Sequence, residues 1–500
     1  MDSNKQIKVG AVISYIAIFI NIASGLIYTP WMMNTIGKSD YGLYTLAMSL
    51  INTFLIDFGL SMATQRYVAK YLAEGNQEAV NKFIGLIYKL YFIISIFLVV
   101  VFAGLYLFID KIYVELTPAE LEKFRGLYLI AVIYSVLNFP FIPLNGMLSA
   151  YEKFVQLKLA DLLHKFIAVA LTVAALILGF GVYSLVTVNL ISGIVHIVVR
   201  LIIIKKSTPI KVDFRYKNSA LVKELFGFSV WSFVSSLAIR LFLTLGSQVL
   251  GIVSGTAEVA VFGYAVSLES YIYIFVNAVN GFFMSKLSRI SKEADEEQKR
   301  KNVINLMTSV GRFIMILFGL IVVGFVCLGQ EFINLLFGNA YDGSYMCTIL
   351  ICAYGFVAYP QQIANTLVMV ENKVKKRAIF AIIAFVVDIV LSVIFGKLWG
   401  AFGVSLAICI ALVLYTILMN ILYAKDLKLD LKTFFVNCHL KLLPGILVSF
   451  GVAFAIKFIP LGGWLGFFVK VACICLEYLV VAWFVMLNKN ERSNLLKRRK

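Results

Sequence analysis

The sequence is poor in the residues that build catalytic and metal sites. Its 500 residues include only three histidines and seven cysteines, without a Cys-x-x-Cys or Cys/His spacing that would hold a metal. A P-loop, a Gly-x-Ser-x-Gly elbow, a His-Glu-x-x-His helix and a Gly-rich nucleotide fingerprint are also missing. These absences argue against the common hydrolases, metalloenzymes and ATP-driven pumps. We expect neither a metal nor an organic cofactor.

Long polar segments are missing as well. The longest predicted outer loops, 110–126 and 329–344, each have fewer than twenty residues. A membrane glycosyltransferase or a polysaccharide polymerase would need carboxylates in a sizeable outer loop, so the short loops disfavour both classes. We therefore predict a protein that is not an enzyme and whose function lies between its helices.

Acidic residues are scarce: 27 Asp and Glu stand against 45 Lys and Arg, a net charge of +18. This excess of basic residues resembles that of nucleic-acid-binding proteins, but the positions of the basic residues along the chain argue against nucleic-acid binding. If the N-terminus is cytoplasmic, 35 of the 45 cations fall on inner loops and the two termini, the standard orientation signal of membrane proteins. We predict cytoplasmic termini and no nucleic-acid partner. Four cations fall within the predicted spans: Lys89, Arg240, Arg312 and Lys470.

Apolar residues, in contrast, are abundant. They make up 61% of the chain, against about 45–50% in soluble proteins, and they form runs of the length that spans a bilayer. The first run is too long for a cleavable signal. The fifth run is short, and we expect its helix to begin earlier, in FVQLKLADLLHK. We predict an all-α polytopic membrane protein with about fourteen spans: 9–33, 41–64, 84–109, 127–150, 166–181, 182–199, 226–253, 259–285, 303–328, 345–370, 378–396, 402–424, 442–456 and 465–487.

Two pairs of segments suggest an internal repeat. NFPFIPLNGMLSAYEK and AYPQQIANTLVMVENK align at an offset of 220, which pairs Pro140 with Pro360. TIGKSDYGLYTLAMSL and VSGTAEVAVFGYAVSL align at an offset of 218, which pairs Gly37 with Gly255. Proline breaks the helical hydrogen-bond ladder, so both prolines are candidate kinks or gates, although ordinary transmembrane kinks explain them equally well.

The repeat predicts two six-helix bundles followed by two further helices. Because six spans is an even number, the bundles share an orientation and are related by a pseudo-twofold axis along the membrane normal. Substrate sites of such transporters lie near the midplane between the halves. The predicted organisation is an N-terminal bundle over 1–205, a cytoplasmic linker over 206–225, a C-terminal bundle over 226–425, and two additional helices with a basic cytoplasmic tail over 426–500.

The segment IGKSDYGLYTLAMSLINTFLIDFGLSMATQRYVAKYLAEGN, residues 36–76, carries a family resemblance. Its G-x-x-x-Y-G-x-Y turn, D-F-G-L and R-Y-x-A-x-Y exit resemble the opening of the polysaccharide flippases of the multidrug/oligosaccharidyl-lipid/polysaccharide exporter (MOP) superfamily. The resemblance implies two bundles in a V that open alternately to each side of the bacterial inner membrane. The implied substrate is an undecaprenyl-pyrophosphate-linked oligosaccharide, a repeat unit of O-antigen, capsule or another surface polysaccharide.

Several points stay open within this interpretation. Coupling to H⁺ or Na⁺ is expected, and the expected partners are membrane lipid, a polysaccharide polymerase and a chain-length regulator. A cation-coupled multidrug exporter of the same superfamily is an alternative, but it typically has twelve spans and carboxylates without a central arginine. A peptidoglycan-precursor flippase is a near neighbour that sequence separates poorly. A polysaccharide polymerase is the least favoured alternative.

Arg240 and Glu269 are the leading site candidates. A charge at mid-bilayer costs about 2.5–3.5 kcal/mol, so it should face protein or water. Both residues lie roughly 15–20 Å from the outer ends of consecutive helices. We predict that Arg240 binds pyrophosphate, since its fork matches phosphate oxygens, and that Glu269 takes up a proton or Na⁺ when the phosphate leaves. A permanent ion pair between them is the structural alternative.

Four further residues complete the predicted substrate pathway. Asp57 is a candidate coupling carboxylate, or else a structural partner of a nearby cation. Arg66 and Arg289 end the second and eighth spans, where they would gather an incoming diphosphate, or simply snorkel to the interface. Asn21 is a candidate hydrogen-bond donor to sugar or phosphate.

Overall fold

Helix is the only regular secondary structure in the part of the chain that the structure describes. The structure is a computed structural model that describes residues 3–54, 60–280, 287, 290, 295–371, 373–489 and 491–493. Within these residues the chain divides into two compact units, 1–263 and 264–500. The predicted all-α fold is therefore confirmed. The boundaries predicted for the four segments of the chain stay a prediction.

The first unit is built from nine helices and the start of a tenth, among its described residues. Their bounds are α1 Ser3–Ile36, α2 Lys38–Phe54, α3 Leu60–Ala73, α4 Gln77–Ile112, α5 Pro118–Asn138, α6 Leu144–Ala150, α7 Phe154–Ile177, α8 Gly181–Ser207, α9 Ser219–Val253 and α10 Thr256–Asn280. The boundary between the units falls inside α10. As expected, the helix of the fifth span begins well before its apolar run, at Phe154.

The second unit contains the rest of α10 and, in the described residues, eight more helices. Their bounds are α11 Glu296–Phe337, α12 Gly343–Ala353, α13 Gly355–Ala358, α14 Gln362–Val370, α15 Val374–Lys425, α16 Leu431–Phe435, α17 Lys441–Lys457 and α18 Gly463–Val481. A π-helical turn, Val436–Leu440, joins α16 to α17, and another, Ala482–Met486, extends α18. At 42 residues, α11 is much longer than the apolar run that predicted it.

Eleven helical segments in the described residues are long and apolar enough to cross a membrane. One of them, α15, is two helices joined at Trp399 and Gly400, whose backbone angles are not helical. Large apolar side chains point outward along these helices, such as Phe97 at 64% and Leu107 at 76% exposure in α4. Such surfaces suit contact with lipid. With α15 counted twice and with α1 and α2–α3 added, the segments correspond to the fourteen predicted spans.

The repeated segments have the same local structure. Gly37 and Gly255 both adopt a positive φ, +86° and +81°, at the junction between two long helices. A residue with a side chain is strained in that conformation, so glycine at both junctions has a physical cause. Pro140 and Pro360 each lie in a single 3₁₀ turn that interrupts a span, Phe139–Phe141 in one and Tyr359–Gln361 in the other.

The glycine of the Tyr-Gly-x-Tyr motif permits a close helix contact in the first unit. A Cβ atom on Gly42 of α2 would lie 2.1 Å from the carbonyl oxygen of Thr256, where α10 begins. Backbone atoms cannot give way as a flexible side chain can. Gly42 therefore sets how closely α2 approaches the start of α10.

This contact predicts opposite effects for two glycine substitutions. Gly42→Ala should lower stability by about 1–3 kcal/mol, the usual cost of overpacking. Gly104→Ala in α4, where nothing lies within 4 Å of the new Cβ, should raise stability by up to about 1 kcal/mol through helix propensity. Thermal unfolding in detergent measures both. Equal effects of the two substitutions would contradict the tight contact.

The two C-terminal helices pack on α11 in the second unit. The hydroxyl of Tyr478 in α18 donates a 2.8 Å hydrogen bond to the carbonyl oxygen of Ile316, midway along α11. The approach is close because residue 319 is glycine, whose Cβ would meet that hydroxyl at 2.5 Å. Ile446 of α17 belongs to the same buried apolar cluster. α17 and α18 are thus integral to the core of this unit.

Candidate functional site

Three of the four cations within the predicted spans have firm partners. Lys89 in α4 donates to the backbone carbonyl of Tyr216 at 2.9 Å. Lys470 in α18 is buried and lies 3.0 Å from both carboxylate oxygens of Glu331 in α11. Arg312, also buried, forms an ion pair near the C-terminus that is described below. Each of these three cations thus joins its helix to another segment of the same unit, and removal of one partner of a buried pair would leave an uncompensated charge.

Arg240 is the exception. Its side chain is exposed, and within its own unit it forms no hydrogen bond or ion pair with a described residue. The residues four before and four after it, Ser236 and Thr244, are also polar, so α9 carries a polar stripe at helical spacing. Because a lone guanidinium in hydrocarbon is costly, a polar stripe around an unpaired arginine indicates a surface that faces water or a polar ligand.

The stripe is anchored toward the C-terminal end of α9 by Gln248, the next residue at the same spacing. Its amide nitrogen donates to the backbone carbonyl of Leu46 at 3.0 Å and to the hydroxyl of Ser49, both in α2. Its amide oxygen accepts a 2.5 Å hydrogen bond from the hydroxyl of Tyr113. These contacts fix α9 against α2, and so the rotation of the helix that presents Arg240.

Glu269 occupies a different environment, in the second unit. It is 3% exposed, and its Oε1 accepts a 3.0 Å hydrogen bond from the hydroxyl of Tyr359. No Lys, Arg or His among the described residues of this unit lies within ion-pair distance of it. An ionised carboxylate buried without a cation is costly. The site therefore favours a protonated carboxyl group or one that holds a small cation.

The 3₁₀ turn that follows α13 positions Tyr359, the hydrogen-bond donor to Glu269. Tyr359 precedes Pro360 in the 3₁₀ turn, and its ring packs edge-on against Phe318 of α11 at 5.1 Å. The next residue but one, Gln361, exchanges two hydrogen bonds with Asn420 of α15, at 2.7 and 3.2 Å. The proline turn thus connects the carboxylate to the helices around it.

The remaining predicted residues are less informative. Asn21 is half-buried in α1, and Arg66 is exposed in α3. Asp57 and Arg289 lie outside the described residues. In the second unit, Glu269 lies beside the turn that contains Pro360. In the first unit, Arg240 lies on the polar stripe that ends at Gln248. The roles predicted for all of these residues stay predictions.

Two residues were missed by the sequence reasoning. The sequence does mark the position of Tyr359, because this residue immediately precedes Pro360, the proline that the repeat pairs with Pro140. The sequence also marks Gln248, because it continues a series of polar residues at every fourth position: Ser236, Arg240, Thr244 and Gln248. Neither contact could be assigned from the sequence, since their partners lie 90 and 202 residues away along the chain.

Solved structures with this fold are membrane transporters. The fold is similar to that of "Lipid II flippase MurJ, inward closed conformation", with TM-score 0.68 and 18% identity over 95% of this chain and 97% of that one. It is also similar to an inward-facing MATE multidrug resistance transporter, with TM-score 0.65 and 16% identity over 85% and 99%. A MOP superfamily transporter from Pyrococcus furiosus gives 0.59 and 15% over 86% and 96%. No curated protein sequence matches this chain.

The chain therefore shares the fold of these multi-pass membrane transporters. Residues 8–287, more than half of the chain, match the family described as "Polysaccharide biosynthesis protein". The chain belongs to this family. Membership and fold together confirm the resemblance first indicated by residues 36–76.

Proposed function

We propose that the protein moves an undecaprenyl-pyrophosphate-linked oligosaccharide from the cytoplasmic to the outer leaflet of the bacterial inner membrane. The observation that carries this proposal is Arg240 on the polar stripe of α9, which is exposed and has no side-chain partner among the described residues of its unit. The other three cations within the predicted spans have structural partners, such as Glu331 for Lys470. An anionic headgroup is the ligand that this remaining cation fits.

Physical chemistry explains why such a headgroup needs a cation. A pyrophosphate with attached sugars cannot enter hydrocarbon unaided, because its charges and hydroxyls would lose their hydration. A guanidinium replaces part of that hydration with bidentate, charge-assisted hydrogen bonds. Arginine stays protonated throughout, so it can hold the diphosphate while alternating access exposes the group first to one side and then to the other.

Glu269 supplies a candidate for ion coupling. A carboxyl group that is buried without a cation exchanges a proton or Na⁺ as its surroundings change. One charge that moves through 100 mV provides about 2.3 kcal/mol, enough to bias the direction of transport. Two charged side chains then have separate tasks: the arginine binds the headgroup and the carboxyl group binds the coupling ion.

Depletion of the protein in cells tests this function. We expect lipid-linked oligosaccharide to accumulate in the inner membrane, inaccessible to a glycan-modifying enzyme added to the outer face of spheroplasts. Restored expression should make it accessible again. Control cells that lack the polysaccharide polymerase should accumulate intermediates that the enzyme does reach. Accumulation of peptidoglycan precursors instead would assign a different cargo and overturn the proposal.

A further inference from the structure

A polar cavity of about 650 Å³ lies at one end of the second unit. It is bounded by the first half of α11, by α16 and the π-helical turn after it, and by the residues that follow α18. The topology predicted from the charges places this end in the cytoplasm. Its polar lining includes Asn305, Thr308, Ser309, Asn437 and Lys441.

An internal ion pair forms one wall of this cavity. Nε of Arg312 donates to Oε1 of Glu491 at 2.7 Å and Nη2 to Oε2 at 3.0 Å, while Nη1 donates to the backbone carbonyl of Asn437 at 2.8 Å. Nη2 also donates to the carbonyl of Met486 at 2.5 Å. Arg312 and Glu491 therefore neutralise each other and hold the segment after α18 in place.

The ionised state of Glu491 follows from these contacts. Burial alone would raise the pKa of this carboxyl group, but the hydrogen bonds from Arg312 and from the backbone amide of Asn488, together with the Arg312 charge, outweigh burial and lower the pKa. Glu491 thus remains an anion near neutral pH. The pair contributes no net charge to the cavity.

Among the described lining residues, one cation and several uncharged polar groups remain to bind a ligand. Lys441 is exposed, and its Nζ donates to Oδ1 of Asn437 at 2.6 Å, which leaves further N–H groups for a ligand. The hydroxyl of Thr308 is buried and has no hydrogen-bond partner among the described residues. Asn305 and Ser309 present an amide and a hydroxyl from the same stretch of α11. The lining therefore has a net charge of about one and is rich in neutral donors and acceptors.

We infer that this cavity binds a phosphate ester of a polyol or a sugar. Lys441 meets the phosphate, and the amide and hydroxyl groups of α11 meet the hydroxyls of the ligand. A fully apolar ligand would leave these polar groups unpaired, at a cost, and a highly charged polyphosphate exceeds what one free cation can neutralise. Neither Arg240 nor Glu269 lines this cavity. Its ligand is either the headgroup of a membrane phospholipid or a soluble sugar phosphate.

Binding to the full-length protein in detergent tests this inference. We expect glycerol 1-phosphate or glucose 1-phosphate to bind in calorimetry, and inorganic phosphate to bind at least tenfold more weakly. In nanodiscs, a higher melting temperature with phosphatidylglycerol than with phosphatidylcholine, and no heat from the soluble esters, identifies the lipid source. Heat from the soluble esters added to the phosphatidylglycerol nanodiscs identifies the soluble source.

Two variants and a matched control locate the site. Lys441→Gln should weaken binding at least tenfold, and Ser309→Leu, which fills the cavity from another helix, should do the same. Lys432→Gln is the control. Lys432 lies in α16 but does not line the cavity, so this variant removes an equal charge and should bind the ligand as the wild type does. Ligand-free melting temperatures identify a variant that fails to fold. Absence of binding to every probe, equal binding of inorganic phosphate, or binding unchanged in both cavity variants would overturn the inference.

Discussion

An Arg240→Ala variant should reach the membrane at the wild-type level and yet export surface polysaccharide at least about 100-fold more slowly. The reason is that a charge-assisted hydrogen bond contributes about 1.5–3 kcal/mol, and a bidentate contact makes two of them. A loss of about 3 kcal/mol corresponds to roughly a hundredfold. Folding should be spared, because the side chain is exposed and pairs with no described residue of its unit. Quantitative labelling of surface polymer measures the rate.

Two further variants separate charge from geometry. Arg240→Lys keeps the charge and loses the planar fork, so it should retain part of the activity, about a tenth. Arg215→Ala removes an exposed arginine from the segment between α8 and α9 in the same unit and should export normally. Normal polymer levels in the Arg240→Ala strain, with the chromosomal copy deleted, would reject the proposed role of this residue.

From the sequence, Arg240 is unusual because it lies in an apolar run. In the structure, it differs from the other cations in such runs because they have partners. The sequence contains four such cations, which look equivalent in a hydropathy plot. Three of them form hydrogen bonds or ion pairs with residues far away in the sequence. Glu331, for example, is 139 residues from Lys470. Such pairings depend on which helices become neighbours. Periodicity within a single helix carries no information about its neighbours, so these partners were not predictable.

Local features were predictable because they depend on a few adjacent residues. The positive φ of Gly37 and Gly255 and the turns at Pro140 and Pro360 follow from the backbone chemistry of glycine and proline. Helix ends were less predictable. α11 continues to Phe337 beyond its apolar run, since polar residues also extend a helix once its core face is packed.

Family membership narrows the function without identifying the cargo. The match over residues 8–287 shows a family of polysaccharide biosynthesis proteins, and the fold is similar to that of flippases and drug transporters. Related folds of this kind carry different substrates on different side chains, so the cargo must be argued from the site. Here an exposed arginine on α9 favours an anion over the cations that a carboxylate-lined drug exporter would bind.

Glu269→Gln should uncouple transport from the ion gradient while leaving the protein folded. Glutamine keeps the size of the side chain and a carbonyl oxygen for the hydroxyl of Tyr359, but it cannot exchange a proton or bind Na⁺ as an anion. A gradient worth 100 mV biases a one-charge step by about 2.3 kcal/mol, or roughly fiftyfold. Proteoliposomes with fluorescent lipid-linked oligosaccharide, with H⁺ and Na⁺ gradients imposed separately, measure this bias. The variant should show none with either ion.

Asp388→Asn provides the matched control for Glu269→Gln. Asp388 is an equally buried carboxyl group of the same unit, at 2% exposure, but it is hydrogen-bonded to Ser392 within its own helix. We expect this variant to keep the response to the gradient, because its carboxyl group has a local partner and lies outside the proposed pathway. Tyr359→Phe, which removes the donor to Glu269, should shift the pH dependence of transport without abolishing it. A Glu269→Gln protein that still follows the imposed gradient would show that another group carries the coupling ion.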